Sequence, residues 1–198
     1  MNTAPLKSLF AAAACWMFAV ATPLHAGTFS DSLKGGNLLT FDKKELKPYD
    51  ESNLDKAELI AIYFSAHWCP PCRAFTPELV QFYNKVKKNH PEFELVFCSS
   101  DKSKDAMVEY MRLTDMPWPV VDFDKRSLLK RYGGRGIPNL VVLDANGQVL
   151  MDSYQGEEYV GPRKVMADLD KRLSKERAAN KSAGTDFNAF FNKKPGEK

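Results

Sequence analysis

Leu59-Ile60-Ala61-Ile62-Tyr63-Phe64, followed at once by Ser65-Ala66-His67-Trp68-Cys69-Pro70-Pro71-Cys72, decides how this chain folds. A near-continuous apolar run ending in a polar turn is the pattern of a strand covered on both faces. From Cys72 onward, Phe75, Leu79, Phe82 and Val86 recur at steps of four, three and four, which places them on one face of a helix. Lys85, Lys87 and Lys88 approach its C-terminal end, where cations suit the helix dipole. Pro77 is expected to kink this helix near its start. Pro91 interrupts the pattern, and Phe93-Glu94-Leu95-Val96-Phe97-Cys98 reads as a second apolar strand. Strand, helix and strand in that order make a parallel crossover unit, so the fold class is α/β with an open sheet flanked by helices.

The flanking segments extend this core in both directions. Ser99-Ser100-Asp101 offers a cap for an amphipathic helix carrying Ala106, Met107, Tyr110 and Leu113, which ends before Met116-Pro117-Trp118-Pro119. Val120-Val121 reads as a short strand and Ser127 to Tyr132 as a short helix. Leu140 to Leu143 and Gln148 to Met151 read as two strands joined through Asn146-Gly147, the strongest short hairpin signal. A final helix is expected from Pro162 toward Ala179, with Val165, Leu169 and Leu173 at steps of four. Upstream, Leu38 to Phe41 reads as a short strand. Gly133-Gly134-Arg135-Gly136 has neither phosphate-loop nor dinucleotide spacing and reads as a turn.

The chain has 198 residues, 44% hydrophobic and 27% charged, which suits one globular domain and excludes a wholly disordered chain. Residues 1–26 read as a cleavable secretory signal: Lys7, an apolar stretch from Leu9 to Ala21, then Pro23 and Ala26 ahead of Gly27. An uncleaved anchor is the alternative. The expected organisation is a signal over 1–26, an N-terminal extension over 27–37, the folded domain over 38–179 and a basic, disordered tail over 180–198. Net charge is +3, but Lys171 to Lys198 carry eight basic and three acidic side chains, while Gly27 to Asp170 carry 19 and 22. The folded body is thus slightly acidic, and dedicated nucleic-acid binding loses its support.

Chemistry concentrates in Trp68-Cys69-Pro70-Pro71-Cys72. Two cysteines separated by two residues, directly after a buried strand and at the entrance to a helix, form a strong redox signature. Unpaired backbone amides and the helix dipole lower the pKa of a thiol at a helix N-terminus, so Cys69 is the candidate nucleophile. Cys72, one turn deeper, is the candidate resolving thiol, suited to attack a mixed disulfide on Cys69. Trp68 is expected to stand as an exposed aromatic wall beside the thiol. An inert disulfide or half a zinc site are the bland alternatives; with His67 the motif supplies three ligands where zinc takes four. Cys98 reads as a core thiol rather than a sensor. Trp118, between two prolines, could flank the site or pack in a rigid turn.

The stretch Tyr63 to Pro77 closely resembles the active-site segment of tryparedoxins and nucleoredoxins, members of the thioredoxin superfamily. The resemblance continues through Ser99-Ser100-Asp101, Met116-Pro117-Trp118, Phe123-Asp124-Lys125-Arg126 and Gly136-Ile137-Pro138, over roughly residues 38 to 175. It implies a thioredoxin-like fold with a central mixed sheet. It also implies that Pro138 is a cis-proline facing the disulfide and that the Ile137 backbone helps hold an extended substrate chain. Two positions depart from the wider superfamily: Tyr63 stands where thioredoxins place a buried Asp, and Phe75 where cytochrome-maturation thioredoxins often have a Glu. No carboxylate proton acceptor for Cys72 is visible.

The expected function is an exported, periplasmic or secreted thiol-disulfide oxidoreductase working in the reductive direction, with oxidation or isomerisation as its nearest rival. It needs no metal or nucleotide cofactor. Its partners are protein thiols and disulfides and an upstream dithiol donor, and it is expected to act as a monomer. A non-catalytic client-binding module and a thiol peroxidase are the alternatives.

Overall fold

The computed structural model describes residues 29–42 and 45–191, with side chains described as far as residue 178. The segment 1–26 read as a signal lies outside the described residues. In chain order the elements are α1 (Phe29–Ser32), β1 (Leu38–Asp42), β2 (Glu45–Pro48), a 3-10 turn (Glu51–Lys56), β3 (Leu59–Ser65), α2 (Pro70–Lys87), β4 (Phe93–Ser99) and α3 (Lys104–Leu113). There follow β5 (Val120–Val121), a 3-10 segment (Phe123–Tyr132), β6 (Asn139–Asp144), β7 (Val149–Asp152), the small pair β8 (Tyr154–Gln155) and β9 (Glu158–Tyr159), and α4 (Pro162–Phe191).

The main sheet has seven strands in the order β2-β1-β5-β4-β3-β6-β7. β3 lies in its interior, parallel to β4 on one side and antiparallel to β6 on the other. The sheet is therefore mixed. Every residue of β3 and β4 is buried, as a strand covered on both faces requires. Alternation then divides them: Leu59, Ala61 and Tyr63 join Phe75, Leu79 and Val86 of α2 and Val165, Leu169 and Leu173 of α4 in one core. Ile60, Ile62 and Phe64 point to the other face, against Leu129, Tyr132 and Leu143. Burying each Leu, Ile, Val or Phe of these layers contributes about 1.5–3 kcal/mol. The molecule is held as two apolar layers with β3 between them.

Strand register places the site. Ser65 at the end of β3 pairs with Ser99 at the end of β4, and Phe64 pairs with Asn139 at the start of β6. The loops beyond these three strand ends, residues 66–69, 100–103 and 133–138, therefore meet at one pole of the sheet. At the other pole β6 turns back into β7 through Gly147, whose φ of +82° suits a residue without Cβ.

Four expectations change. The 27–37 extension is not separate from the domain, because Phe29 and Leu33 are buried in the second core layer. Asp101 does not cap α3; Ser103 does, its hydroxyl accepting from the Ala106 amide at 3.2 Å. Leu113 is 53% exposed, and the buried face of α3 is Met107, Tyr110 and Met111 instead. α4 does not end at Ala179 but continues to Phe191, so residues 180–191 are helical and not a disordered tail. No proline interrupts the Ala-, Lys- and Arg-rich stretch after Pro162 until Pro195, and the helix runs through its one glycine, Gly184. Through Pro77, α2 runs as one helix from Pro70 to Lys87.

Candidate active site

The loop leaving β3 ends in the first turn of α2, with Cys69 as the N-cap. A helix N-terminus leaves several backbone amides without intrahelical partners, but Pro70 and Pro71 occupy its first two positions and have no N–H to offer. The first available amide is that of Cys72, and it donates to the Cys69 Sγ at 3.3 Å. The sulfur thus takes the place that a serine or aspartate oxygen holds at an ordinary N-cap. Cys69 and Cys72 are joined as a disulfide, their Cα atoms 5.2 Å apart. Cys69 is 3% exposed and Cys72 wholly buried.

Three loops frame the sulfur pair. The Ile137–Pro138 bond is cis, and the Ile137 carbonyl lies 3.8 Å from the Cys69 Sγ. The Pro138 carbonyl is in turn held by the Tyr159 hydroxyl at 2.6 Å. Trp68 is 58% exposed, with its indole Nε1 donating to the Ser100 carbonyl at 3.3 Å. Beside it the His67 amide donates to Asp101 Oδ1 at 2.9 Å, and the Ser99 hydroxyl donates to Asp101 Oδ2 at 2.9 Å. The Arg126 guanidinium closes this layer by donating to the Ser99 and Asp101 carbonyls at 3.0 Å while stacked on the Phe123 ring. Asp101, buried and bonded inward, is a brace for the active-site loop.

Beneath Cys72 lies a buried group made only of hydroxyls. Thr76 Oγ1 donates to the Cys72 carbonyl at 2.9 Å and lies 2.9 Å from the Tyr63 hydroxyl and 2.6 Å from the Tyr110 hydroxyl; Ser65 Oγ is 3.1 Å from Tyr110. One proton arrangement satisfies all of them: Tyr63 and Tyr110 donate to Thr76, Ser65 donates to Tyr110, and Thr76 donates to the helix carbonyl. Burial, reinforced by Tyr110, pushes the Tyr63 phenol far above its usual range, so Tyr63 keeps its proton at any physiological pH. Among the described residues, no carboxylate is hydrogen-bonded to this group.

The structure thus brings together all five residues singled out by sequence: Cys69, Cys72, Trp68, Ile137 and Pro138. It separates Trp118 from them. That ring is wholly buried, edge-on to Tyr63 and Tyr83 at 6.4 and 5.5 Å, and belongs to the core. Cys98 is likewise buried, and burial pushes its thiol up to about 12, with Arg126 pulling slightly the other way. Thr76, Tyr110 and Tyr159 were not found by sequence reasoning. Their partners lie 13, 34 and 21 residues away, and only the folded register joins them.

Comparison with known proteins gives the same picture. A protein-family model described as thioredoxin-like matches residues 57–149. Bovine nucleoredoxin is 45% identical over 104 residues, covering 50% of this chain and 23% of that protein. A probable nucleoredoxin from Arabidopsis thaliana is 48% identical over 94 residues, 46% of this chain and 16% of its own. The chain spans about a quarter or less of the length of these curated relatives. Among solved structures, tryparedoxin I from Leishmania major superposes with a TM-score of 0.51 at 30% identity, covering 72% of this chain and 91% of that one. A cysteine-to-alanine variant of tryparedoxin I gives 0.50 at 34% identity, covering 62% and 85%. With the fold, the paired cysteines and these likenesses in agreement, the chain belongs to the tryparedoxin and nucleoredoxin group of the thioredoxin superfamily, a family built for thiol redox chemistry.

Proposed function

We propose that the protein is a thiol-disulfide oxidoreductase that reduces disulfides of client proteins. The observation that carries this reading is the Cys69 sulfur seated as the N-cap of α2, accepting the Cys72 amide, with Cys72 fully buried behind it. A thiolate at Cys69 is stabilised by that amide and by the helix dipole. It attacks one sulfur of a client disulfide, and the other client sulfur leaves as a thiolate that takes up a proton. Cys72, deprotonated, then attacks the Cys69 Sγ; the client's second sulfur leaves, and the Cys69–Cys72 disulfide forms. Two electrons pass from the pair to the client, and an external dithiol donor restores the reduced pair. The cis Ile137–Pro138 bond beside Cys69 presents backbone groups along which an extended client segment can lie.

Insulin reduction with dithiothreitol tests the proposal: the wild-type protein accelerates it and Cys69→Ser abolishes the acceleration. Unchanged activity in that variant would defeat the site, and no turnover by the wild type would leave a client-binding module. Peroxide consumption without any partner protein would favour a peroxidase instead. A Cys69–Cys72 potential near that of strong oxidants, about −120 mV, would overturn the reductive direction.

The export expectation is part of the proposal. It is supported by the Leu9 to Ala21 stretch and the Pro23 to Ala26 junction. Export predicts a secreted or periplasmic product beginning at Gly27. N-terminal sequencing of protein recovered outside the cytoplasm checks it, and recovery of the intact chain from the cytoplasm would refute it. No described helix is long and apolar enough to cross a membrane.

A further inference from the structure

Two cavities flank the exposed ring of Trp68. One, of about 620 Å³, runs from Trp68 and Ile137 toward Arg126, Lys130 and Arg135. The other, of about 690 Å³, is lined by His67, Arg73 and Lys102. The first has no carboxylate among its lining residues, and the second has only Asp101, whose two oxygens are already taken by the His67 amide and the Ser99 hydroxyl. Five cations thus line the two cavities beside Trp68, in a body that is slightly acidic as a whole, with 19 basic and 22 acidic residues from Gly27 to Asp170. The local charge is opposite in sign to the average.

These cations are available. Among the described residues Lys130 is exposed and in no ion pair, and Arg126 spends its bonds on backbone carbonyls, which leave its charge uncompensated. Arg135 reaches Glu157 at 3.2 Å, but both side chains are largely in water, where such pairs contribute little. The cavity reaches the reacting sulfur through Ile137, whose carbonyl faces Cys69. A chain laid along Ile137 would therefore carry its next residues over Lys130 and Arg135.

We propose that this groove selects client disulfides whose half-cystine is flanked by acidic residues. The inference rests on the redox reading above and adds the charge of its substrates. Cationic walls beside a reacting centre raise the encounter rate of anionic partners and penalise cationic ones, an effect that salt screens.

The test uses the full-length protein with dithiothreitol as the electron donor, the uncatalysed rate subtracted, and three disulfide peptides of one sequence, in which the flanking positions are Glu, Ser or Lys. At low ionic strength kcat/KM is expected to be about tenfold higher for the Glu peptide than for the Lys peptide, and the gap to close to about twofold in high salt. In Lys130→Glu/Arg135→Glu the order of the two peptides inverts. Equal turnover of all three by the wild type, or a preference that salt and the double variant leave untouched, would overturn the proposal while the Ser peptide still reports a working oxidoreductase. Glutathione disulfide turned over as fast as the Glu peptide would also overturn it, placing the recognised charge on a free small thiol. Turnover of none of the three would fell the redox reading itself.

Discussion

The two ends of α2 solve the problem of burying polar groups in opposite ways. At the N-terminal end, under Cys72, the group is neutral: Tyr63, Thr76, Tyr110 and Ser65 share protons among hydroxyls. At the C-terminal end Glu94 is 1% exposed and ionisable, and it accepts from the Tyr49 hydroxyl at 2.6 Å, the Tyr83 hydroxyl at 2.8 Å and Lys87 Nζ at 3.0 Å. Burial, and then the Glu94 charge, push both phenols well above their usual range, so both stay protonated and donate to the carboxylate. With the Leu95 amide, which donates to Oε1 at 2.9 Å, four donors surround this buried carboxylate, and it is tolerated where nothing reacts nearby. Beside the sulfur pair, where a fixed negative charge would oppose a developing thiolate, the chain uses groups that carry none.

The largest expected effect lies at the charged end. Lys87→Met leaves Glu94 buried without its cation and should cost about 2–4 kcal/mol of unfolding free energy. Glu94→Gln keeps an acceptor at Oε1 for Tyr83 but presents an NH2 to Tyr49, whose hydroxyl must then turn to accept, while Lys87 keeps the Phe93 carbonyl, so it should cost only about 1–2 kcal/mol. Urea denaturation of the oxidised protein measures both; equal or reversed costs would mean the pair is not held by the asymmetry described. At the neutral end, Tyr110→Phe removes one hydroxyl that serves two partners, and a loss of about 1–2 kcal/mol is expected. The pH dependence of client reduction between pH 5 and 8 should keep its shape in that variant, since no carboxylate has been removed. A new ionisation in the profile would show that the hydroxyl group was not neutral.

The smallest effect concerns Cys98. Its thiol is held protonated by burial up to about 12, against an ordinary value of 9.0. Below pH 9 folded and unfolded chains both keep the proton and nothing changes. Above it the unfolded chain releases the proton and the folded chain does not, so stability falls as pH rises from about 9 toward 12. Cys98→Ala should flatten the first part of that alkaline limb, leaving the part due to Tyr49, Tyr63 and Tyr83. Denaturation midpoints measured at pH 8, 9 and 10 decide it, and parallel curves for the two proteins would refute the assignment.

Much of this was legible in sequence because it is local. The apolar run of β3, the periodic face of α2, the Asn146-Gly147 turn and the cysteine spacing each announce themselves within about a dozen residues. What escaped depends on register. Tyr63 was recognised as a departure from a buried acid, but nothing in its neighbourhood revealed that Tyr110 and Thr76 would complete a hydroxyl group around it. The Asp101 cap failed for a similar reason: Asp is an equally good cap and brace, and the competing amide of His67 lies 34 residues upstream. Trp118 is ambiguous until β5 is seen beside β4, which turns the ring inward among Tyr63 and Tyr83.

The parallel run of α4 alongside α2 has a practical side. Arg163 meets Glu78 and Lys85 meets Asp170, so α4 leaves the domain at the pole away from Cys69. The Phe29 amide is bonded to the Ala145 carbonyl at the same pole. Both ends of the described chain thus lie at the back of the domain, and the pole that carries the sulfur pair is left open. Immobilised on a bead through a surface side chain of that back face, the protein should therefore still trap its clients.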